Sequence, residues 1–231
     1  MLKAIIFDFN GVILDDEPLH FKAMQEAVAA LGVTLTEEAY WDKYLPLDSK
    51  GCLEAICRDH SIRLNDQDRI HMIQAKETAY GRLLANRFPV FPGATRFIDS
   101  ASRQYSLAIA SGARRAEIKT ALKATGLDRY FQVIVAAEDF SLGKPHPESY
   151  LLALKKLNSA RVGKFPSIAP EECLVIEDSI GGITGARAAG MRCLAVSNSY
   201  PSEKLKEANR VVRSLEEVQV DMLPALFEIP E

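Results

Sequence analysis

Short apolar runs of strand length recur along the chain, with helical stretches between them. They are Ala4–Phe9, Leu107–Ser111, Val133–Ala136, Leu174–Glu177 and Cys193–Val196, with a weaker sixth at Arg210–Val212. Runs that are apolar on both faces fit strands buried between two helical layers. Strands alternating with helices predict an α/β fold, a Rossmann-like, doubly wound and mostly parallel sheet. From about Asp15 to Phe88 the rhythm breaks, leaving helical patterns without a strand. Phe21, Met24, Val28 and Leu31 follow at three- and four-residue steps, an amphipathic helix with Asp16 placed to cap it, Pro18 in its first turn and Gly32 to end it. A second helical pattern covers Gly51–Asp59 and a third runs from Asp66 to about Asn86. Phe91-Pro92-Gly93 marks the return to the alternating pattern. The expected organisation is an α/β core of residues 1–14 and 91–231, with a small all-helical cap domain of residues 15–90 inserted after the first strand. Asn158–Pro170 reads as a long surface connection between a helix and a strand.

A chain of 231 residues is long enough to bury a sizeable core. Its formal charge of -3 is spread along the sequence, so no clustered basic surface for nucleic acid is expected. No apolar stretch approaches the ~20 residues of a membrane-spanning helix, and the first apolar run is short and interrupted by Asp8, unlike a secretory leader. The four cysteines, Cys52, Cys57, Cys173 and Cys193, form no C-x-x-C pair and read as reduced, mostly buried thiols of a cytoplasmic protein. His20, His60, His71 and His146 lack zinc-ligand spacing. A monomer or weak homo-oligomer is expected.

Ligands of open α/β sheets bind beyond the carboxyl ends of the strands, and that is where the polar residues fall. Asp8 ends the first run, Ser111 the second with Gly112 behind it, and Glu177-Asp178-Ser179 the fourth. Gly143-Lys144-Pro145-His146-Pro147 follows the third. This set suits phosphoryl chemistry. Asp8 and Asp178 can hold a hard cation such as Mg²⁺. Ser111 and nearby backbone amides can hydrogen-bond phosphoryl oxygens, and Lys144 offers a point charge to the transferring group. Asp8 can attack phosphorus as a nucleophile. Gly181-Gly182-Ile183-Thr184-Gly185 does not fit a dinucleotide-binding loop and instead lets a helix start approach the sheet. Arg114-Arg115 reads as a solvated helix start.

Four motifs in this order, Asp8-Phe9-Asn10-Gly11-Val12, Ala110-Ser111-Gly112, Gly143-Lys144-Pro145-His146-Pro147 and Ile176-Glu177-Asp178-Ser179, resemble those of the haloacid dehalogenase-like hydrolases. The resemblance is to the helical-cap subfamily, in its β-phosphoglucomutase and sugar-phosphatase branch, and covers nearly the whole chain. It implies that Asp8 is the nucleophile and that Asp8, the Asn10 carbonyl and Asp178 bind Mg²⁺, with Glu177 acting directly or through water. Ser111 and Lys144 would hold the phosphoryl group, with Gly112 beside them, and residues 15–88 would form a mobile cap over a small phosphorylated substrate. His20 and Lys76 match cap positions of the phosphomutase-like branch. His20 reads as a substrate ligand or proton carrier, or as a packing residue near the hinge. Lys76 reads as a substrate ligand or as a solvated helix side chain.

Two departures shape the functional expectation. Asn10 stands where the family pattern has an aspartate, and an amide neither protonates a leaving oxygen nor activates water, a loss of about 10²–10⁴-fold where no other group takes over. Proton carriers weighed in its place are His20, Asp15, Asp16 and Glu17. The loop Tyr44–Gly51 lacks the arginine with which the related mutases grip a distal phosphate, and Lys50 has no bidentate fork. The expectation is a Mg²⁺-dependent phosphatase of a small, sugar-phosphate-like metabolite. Alternatives are a β-phosphoglucomutase-like phosphomutase, a phosphonatase- or dehalogenase-like hydrolase, and a low-turnover binder of phosphorylated ligands.

Overall fold

The computed structural model describes residues 1–45, 47–84, 88–163 and 165–227. Its contacts divide the chain into two compact units, Met1–Asp15 with Phe88–Glu231, and Asp16–Arg87.

The first strand, β1 (Ala4–Phe7), is followed by the helices of the second unit: α1 (Glu17–Ala29), the short α2 (Glu37–Ala39), α3 (Ser49–Asp59) and α4 (Asp66–Leu84). The larger unit resumes with α5 (Ala94–Ser102), β2 (Ser106–Ala110), α6 (Arg115–Thr125), β3 (Val133–Val135), α7 (Glu148–Arg161), β4 (Cys173–Glu177), α8 (Ile180–Ala188), β5 (Arg192–Val196) and β6 (Arg210–Val212). All six strands are parallel, in the order β3-β2-β1-β4-β5-β6. The expected doubly wound sheet is therefore present, and each apolar run carries a strand within two residues of its expected ends.

Alternation along the central strands sorts side chains into two cores. Ile5, Phe7, Leu107, Ile109, Leu174 and Ile176 face one layer with α5 and α6, where Phe97, Ile98, Ile118 and Leu122 close over them. Ala4, Ile6, Ala108, Ala110, Cys173 and Val175 face α7 and α8, through Tyr150, Ala153, Leu157, Ile183 and Ala186. Burial of both faces explains why these strands read as continuous apolar runs rather than alternating ones.

In the smaller unit α1 packs on α4, with α3 against both; Phe21, Met24, Val28, Leu53 and Ile56 form its core. Two elements there lack a sequence signal, α2 and a π-helical turn over Tyr40–Tyr44. The third helix is described as far as Leu84, and the expected end near Asn86 lies outside the described residues, as does Pro46 of the Tyr44–Gly51 loop. That loop is shorter than expected, since α3 already starts at Ser49.

Other expectations need correction. Asp16 occupies the N-cap of α1 and Pro18 its first turn, but the Asp16 carboxylate makes no capping bond; Tyr80 and His20 engage it instead. The connection after α7 is shorter than Asn158–Pro170, because the helix runs to Arg161. Asn158 then pins the following loop by accepting from the Ile168 N–H and donating to the Ile168 carbonyl. Arg115 is not solvated: it is half-buried, paired with Asp139 and donating to the Ile134 carbonyl. The four cysteines are buried and free, and burial pushes their thiols up. Among the described residues no helix is long and apolar enough to cross a membrane.

Ile109, fully buried at the centre of β2, tests the packing. Ile109→Ala is expected to cost about 2–5 kcal/mol in urea denaturation, with the unfolding slope unchanged.

Candidate active site

Four ionisable side chains meet at the carboxyl end of the sheet. Asp8 follows β1, and its N–H donates to the Ile176 carbonyl, which ties it to β4. Glu177 ends β4 and Asp178 follows it. Lys144 reaches in from the loop before α7, donating to Asp8 Oδ1 at 2.6 Å and to Glu177 Oε1 at 2.5 Å. The central strands are short, so the chain turns out at the same level on each, which brings separated residues together.

Glu177 is fully buried and its carboxylate is saturated. Oε1 accepts from Lys144 and from the Tyr150 hydroxyl at 2.8 Å. Oε2 accepts from the N–H groups of Asp178 and Ser179 and from the Ser179 hydroxyl, each at 2.9 Å. The Ser179 hydroxyl also caps α8 by accepting from the Gly182 N–H. A Cβ at Gly182 would overlap the Glu177 carboxylate, so the absence of a side chain is what lets the helix start approach the strand end. Asp178 is held by the Ser199 hydroxyl and lies against Gly11, whose φ of +76° and lack of room for a Cβ both call for glycine.

One oxygen each of Asp8, Glu177 and Asp178 lies within 4.8 Å of the others. Three buried carboxylates share one ammonium, so charge is left uncompensated. Burial raises the Asp8 carboxyl to about 6, against the pull of Lys144 and helped by the charge of Glu177. Burial, then Glu177 and Asp8, raise Asp178 well above the carboxylate range. Burial works against the charges of Glu177 and Lys144 as well. For Glu177 the neighbouring Lys144, with the Ser179 N–H and the Tyr150 hydroxyl, together outweigh it and hold the carboxyl low; for Lys144 the two carboxylates outweigh it and hold the ammonium above the ordinary lysine range. An all-oxygen donor set with surplus negative charge fits a hard divalent cation.

Ser111 lies at the end of β2, beside β1. It is buried, its N–H donates to the Val135 carbonyl, and its hydroxyl accepts from the Ala113 N–H at 3.2 Å. A Cβ at Gly112 would meet nothing within 4 Å. Asn10 lies in the turn after β1, in a bridge with Leu14, and is half-buried.

The smaller unit brings His20 and Lys76 together. Lys76 is buried on α4, against the solvated alternative, and its ammonium lies 2.7 Å from His20 Nδ1. His20 Nε2 faces Asp16 at 3.2 Å, and the imidazole stacks on Tyr80 with centroids 4.2 Å apart. Tyr80 donates to Asp16 at 2.5 Å. Since Lys76 donates to Nδ1, the neutral ring carries its proton on Nε2, toward Asp16. Glu17 is raised by burial and accepts from Tyr40 at 2.6 Å. Lys50 is exposed.

The sequence matches the haloacid dehalogenase-like hydrolases over residues 2–190. The chain belongs to this family. The hydrolase is 32% identical over 215 residues to a phosphorylated carbohydrates phosphatase of Thermotoga maritima, covering 91% of this chain and 93% of that protein. It is 29% identical to the fructose-1-phosphate phosphatase YqaB of Escherichia coli, covering 84% and 95%. Among solved structures, an aspartate-to-asparagine mutant of CbbY from Rhodobacter sphaeroides in complex with xylulose-(1,5)bisphosphate superposes with a TM-score of 0.78, at 28% identity, covering 94% of this chain and 96% of that one.

Three residues that hold this candidate site carry no motif in the sequence: Tyr150, Asn198 and Ser199. Tyr150 sits among leucines on α7 and reads as core. Asn198 and Ser199 carry no charge, yet they follow β5 and so obey the same strand-end rule as Asp8 and Asp178.

The raised Asp8 carboxyl gives a test. Its folded value of about 6 exceeds the ordinary 3.8, so its stabilising contribution is complete below the ordinary value and is lost as pH rises through about 6. In chelator, the melting temperature of the hydrolase is expected to fall from about pH 4 to about pH 7 and then to level off, and Mg²⁺ to raise it more at the upper end. Scanning calorimetry across that range checks both.

Proposed function

We propose that this hydrolase is a Mg²⁺-dependent phosphatase of a small, sugar-phosphate-like metabolite that works through an aspartyl phosphate on Asp8. The observation that carries the reading is the buried contact of Lys144 with both Asp8 and Glu177, beside Asp178 and one strand from Ser111. Two relatives that span nearly the same length are named as phosphatases of phosphorylated carbohydrates and of fructose 1-phosphate, which supports the substrate class.

In this reading a carboxylate oxygen of Asp8 attacks phosphorus, and the ester oxygen departs with the bonding pair and takes up a proton. Water then attacks the aspartyl phosphate, releasing phosphate and restoring the Asp8 carboxylate. Lys144 steadies the charge on the phosphoryl oxygens and keeps Asp8 oriented. Ser111 and the N–H groups behind it, with Gly112 leaving open room, receive those oxygens. Asp8, the Asn10 carbonyl and Asp178 would hold the metal, with Glu177 acting directly or through water; when bound, Mg²⁺ offsets the repulsion between carboxylate and phosphate. Residues 15–90 act as a cap, with His20 and Lys76 as its substrate-facing residues.

Asn10 donates no proton to the departing oxygen. The proton is therefore assigned to His20 or to the hinge acids Asp15, Asp16 and Glu17. Because the Tyr44–Gly51 loop has no arginine, hydrolysis is favoured over transfer to a second hydroxyl of a sugar phosphate.

Phosphate release from a panel of phosphate esters, with Mg²⁺ and with chelator, tests the reading; no metal-dependent release from any ester would overturn it. Asn10→Asp is expected to raise turnover by about 10²–10⁴-fold if no other group moves the proton, and to change it little if one already does. His20→Ala and Asp16→Asn then locate that group by their loss of turnover.

A further inference from the structure

Immediately after β5, two consecutive uncharged residues reach the two loops that would carry the metal ligands. Asn198 donates from Nδ2 to the Gly11 carbonyl at 2.7 Å, and the Ser199 hydroxyl donates to Asp178 Oδ2. Both are half-buried. The turn is itself anchored, since the Ser197 N–H donates to the Val212 carbonyl at 2.9 Å, carrying the β5–β6 pairing one residue further.

Each contact lands where the site is most able to deform. Gly11 is in the left-handed region, and its two flanking peptides can rotate more freely than any others in the loop. The Gly11 N–H, in the same peptide as the Asn10 carbonyl, donates to the Leu14 carbonyl at 2.9 Å. Asn198 holds the peptide on the other side. With both ends tied, the Asn10 carbonyl keeps one direction. The Ser199 hydroxyl engages Oδ2 of Asp178 and so fixes the rotation of that carboxylate about its side chain. Asp178 in turn lies against Gly11, so the four residues brace one another around a single point.

We infer that Asn198 and Ser199 are positioning residues that set the metal affinity of this hydrolase, by locking the Asn10–Gly11 turn and the Asp178 carboxylate into one arrangement. This rests on the metal-site reading above and deepens it. Partners behind metal ligands commonly tune affinity by about 10- to 100-fold, and an all-oxygen site for a small, geometry-demanding cation depends strongly on such orientation.

The test is Mg²⁺ binding to substrate-free full-length protein by calorimetry, alongside melting temperature in chelator. Ser199→Ala and Asn198→Ala are each expected to weaken Mg²⁺ about 10-fold or more, with the chelated proteins melting close to the parent. Ser199→Thr, which keeps the hydroxyl, restores most of the affinity and separates positioning from general damage. Parent-like Mg²⁺ affinity in folded Ser199→Ala and Asn198→Ala proteins would overturn the inference while leaving the metal site standing. Absence of Mg²⁺ binding by the parent would overturn the metal site, and the brace with it.

Discussion

Burying three carboxylates together at the carboxyl end of the sheet is costly, because each loses its water and repels the other two. Lys144 makes the arrangement tolerable. Its ammonium bridges Asp8 and Glu177, and Glu177 spreads its remaining charge over Tyr150, Ser179 and two backbone N–H groups. Much of the surrounding architecture serves this one contact. The loop before α7 delivers the lysine, α8 starts against Glu177 because Gly182 allows it, and the short central strands end together so that the charges meet. The compensation is incomplete, and the raised carboxyls of Asp8 and Asp178 show where the surplus lies. A site built this way favours a cation and penalises any second anion until one is present.

Asn10 adds no charge to the turn that follows Asp8, where an aspartate would bring a further acid within two residues of a cluster already short of positive charge. In the smaller unit His20, Lys76, Asp16 and Tyr80 likewise engage one another, across 64 residues of sequence at the widest.

Sequence made the sheet and the four motifs legible because each leaves a local trace: a run of apolar residues closed by a polar one, repeated along the chain. The helices of the smaller unit were legible through periodicity in Phe21, Met24 and Val28. What escaped is what depends on partners distant in sequence. The Tyr40–Tyr44 turn has no period of its own. Lys76 looks solvated until its distance to His20 is known. Asp16 looks like a helix cap until Tyr80, 64 residues on, takes its carboxylate. Arg115 and Asn158 read as surface and loop because Asp139 and Ile168, which engage them, lie beyond any local window. The family resemblance supplied roles for Asp8, Ser111, Lys144, Glu177 and Asp178, but not the uncharged residues behind them.

The chain leaves the sheet and comes back to it at one place. Leu14 forms an antiparallel bridge with Val90, and the Asp15 N–H donates to the Pro89 carbonyl at 2.7 Å. The intervening segment is therefore closed at its base by a two-stranded stem within the larger unit. Because that stem already joins the two ends of the insert, the entropic cost of a longer insert grows only with the logarithm of its length.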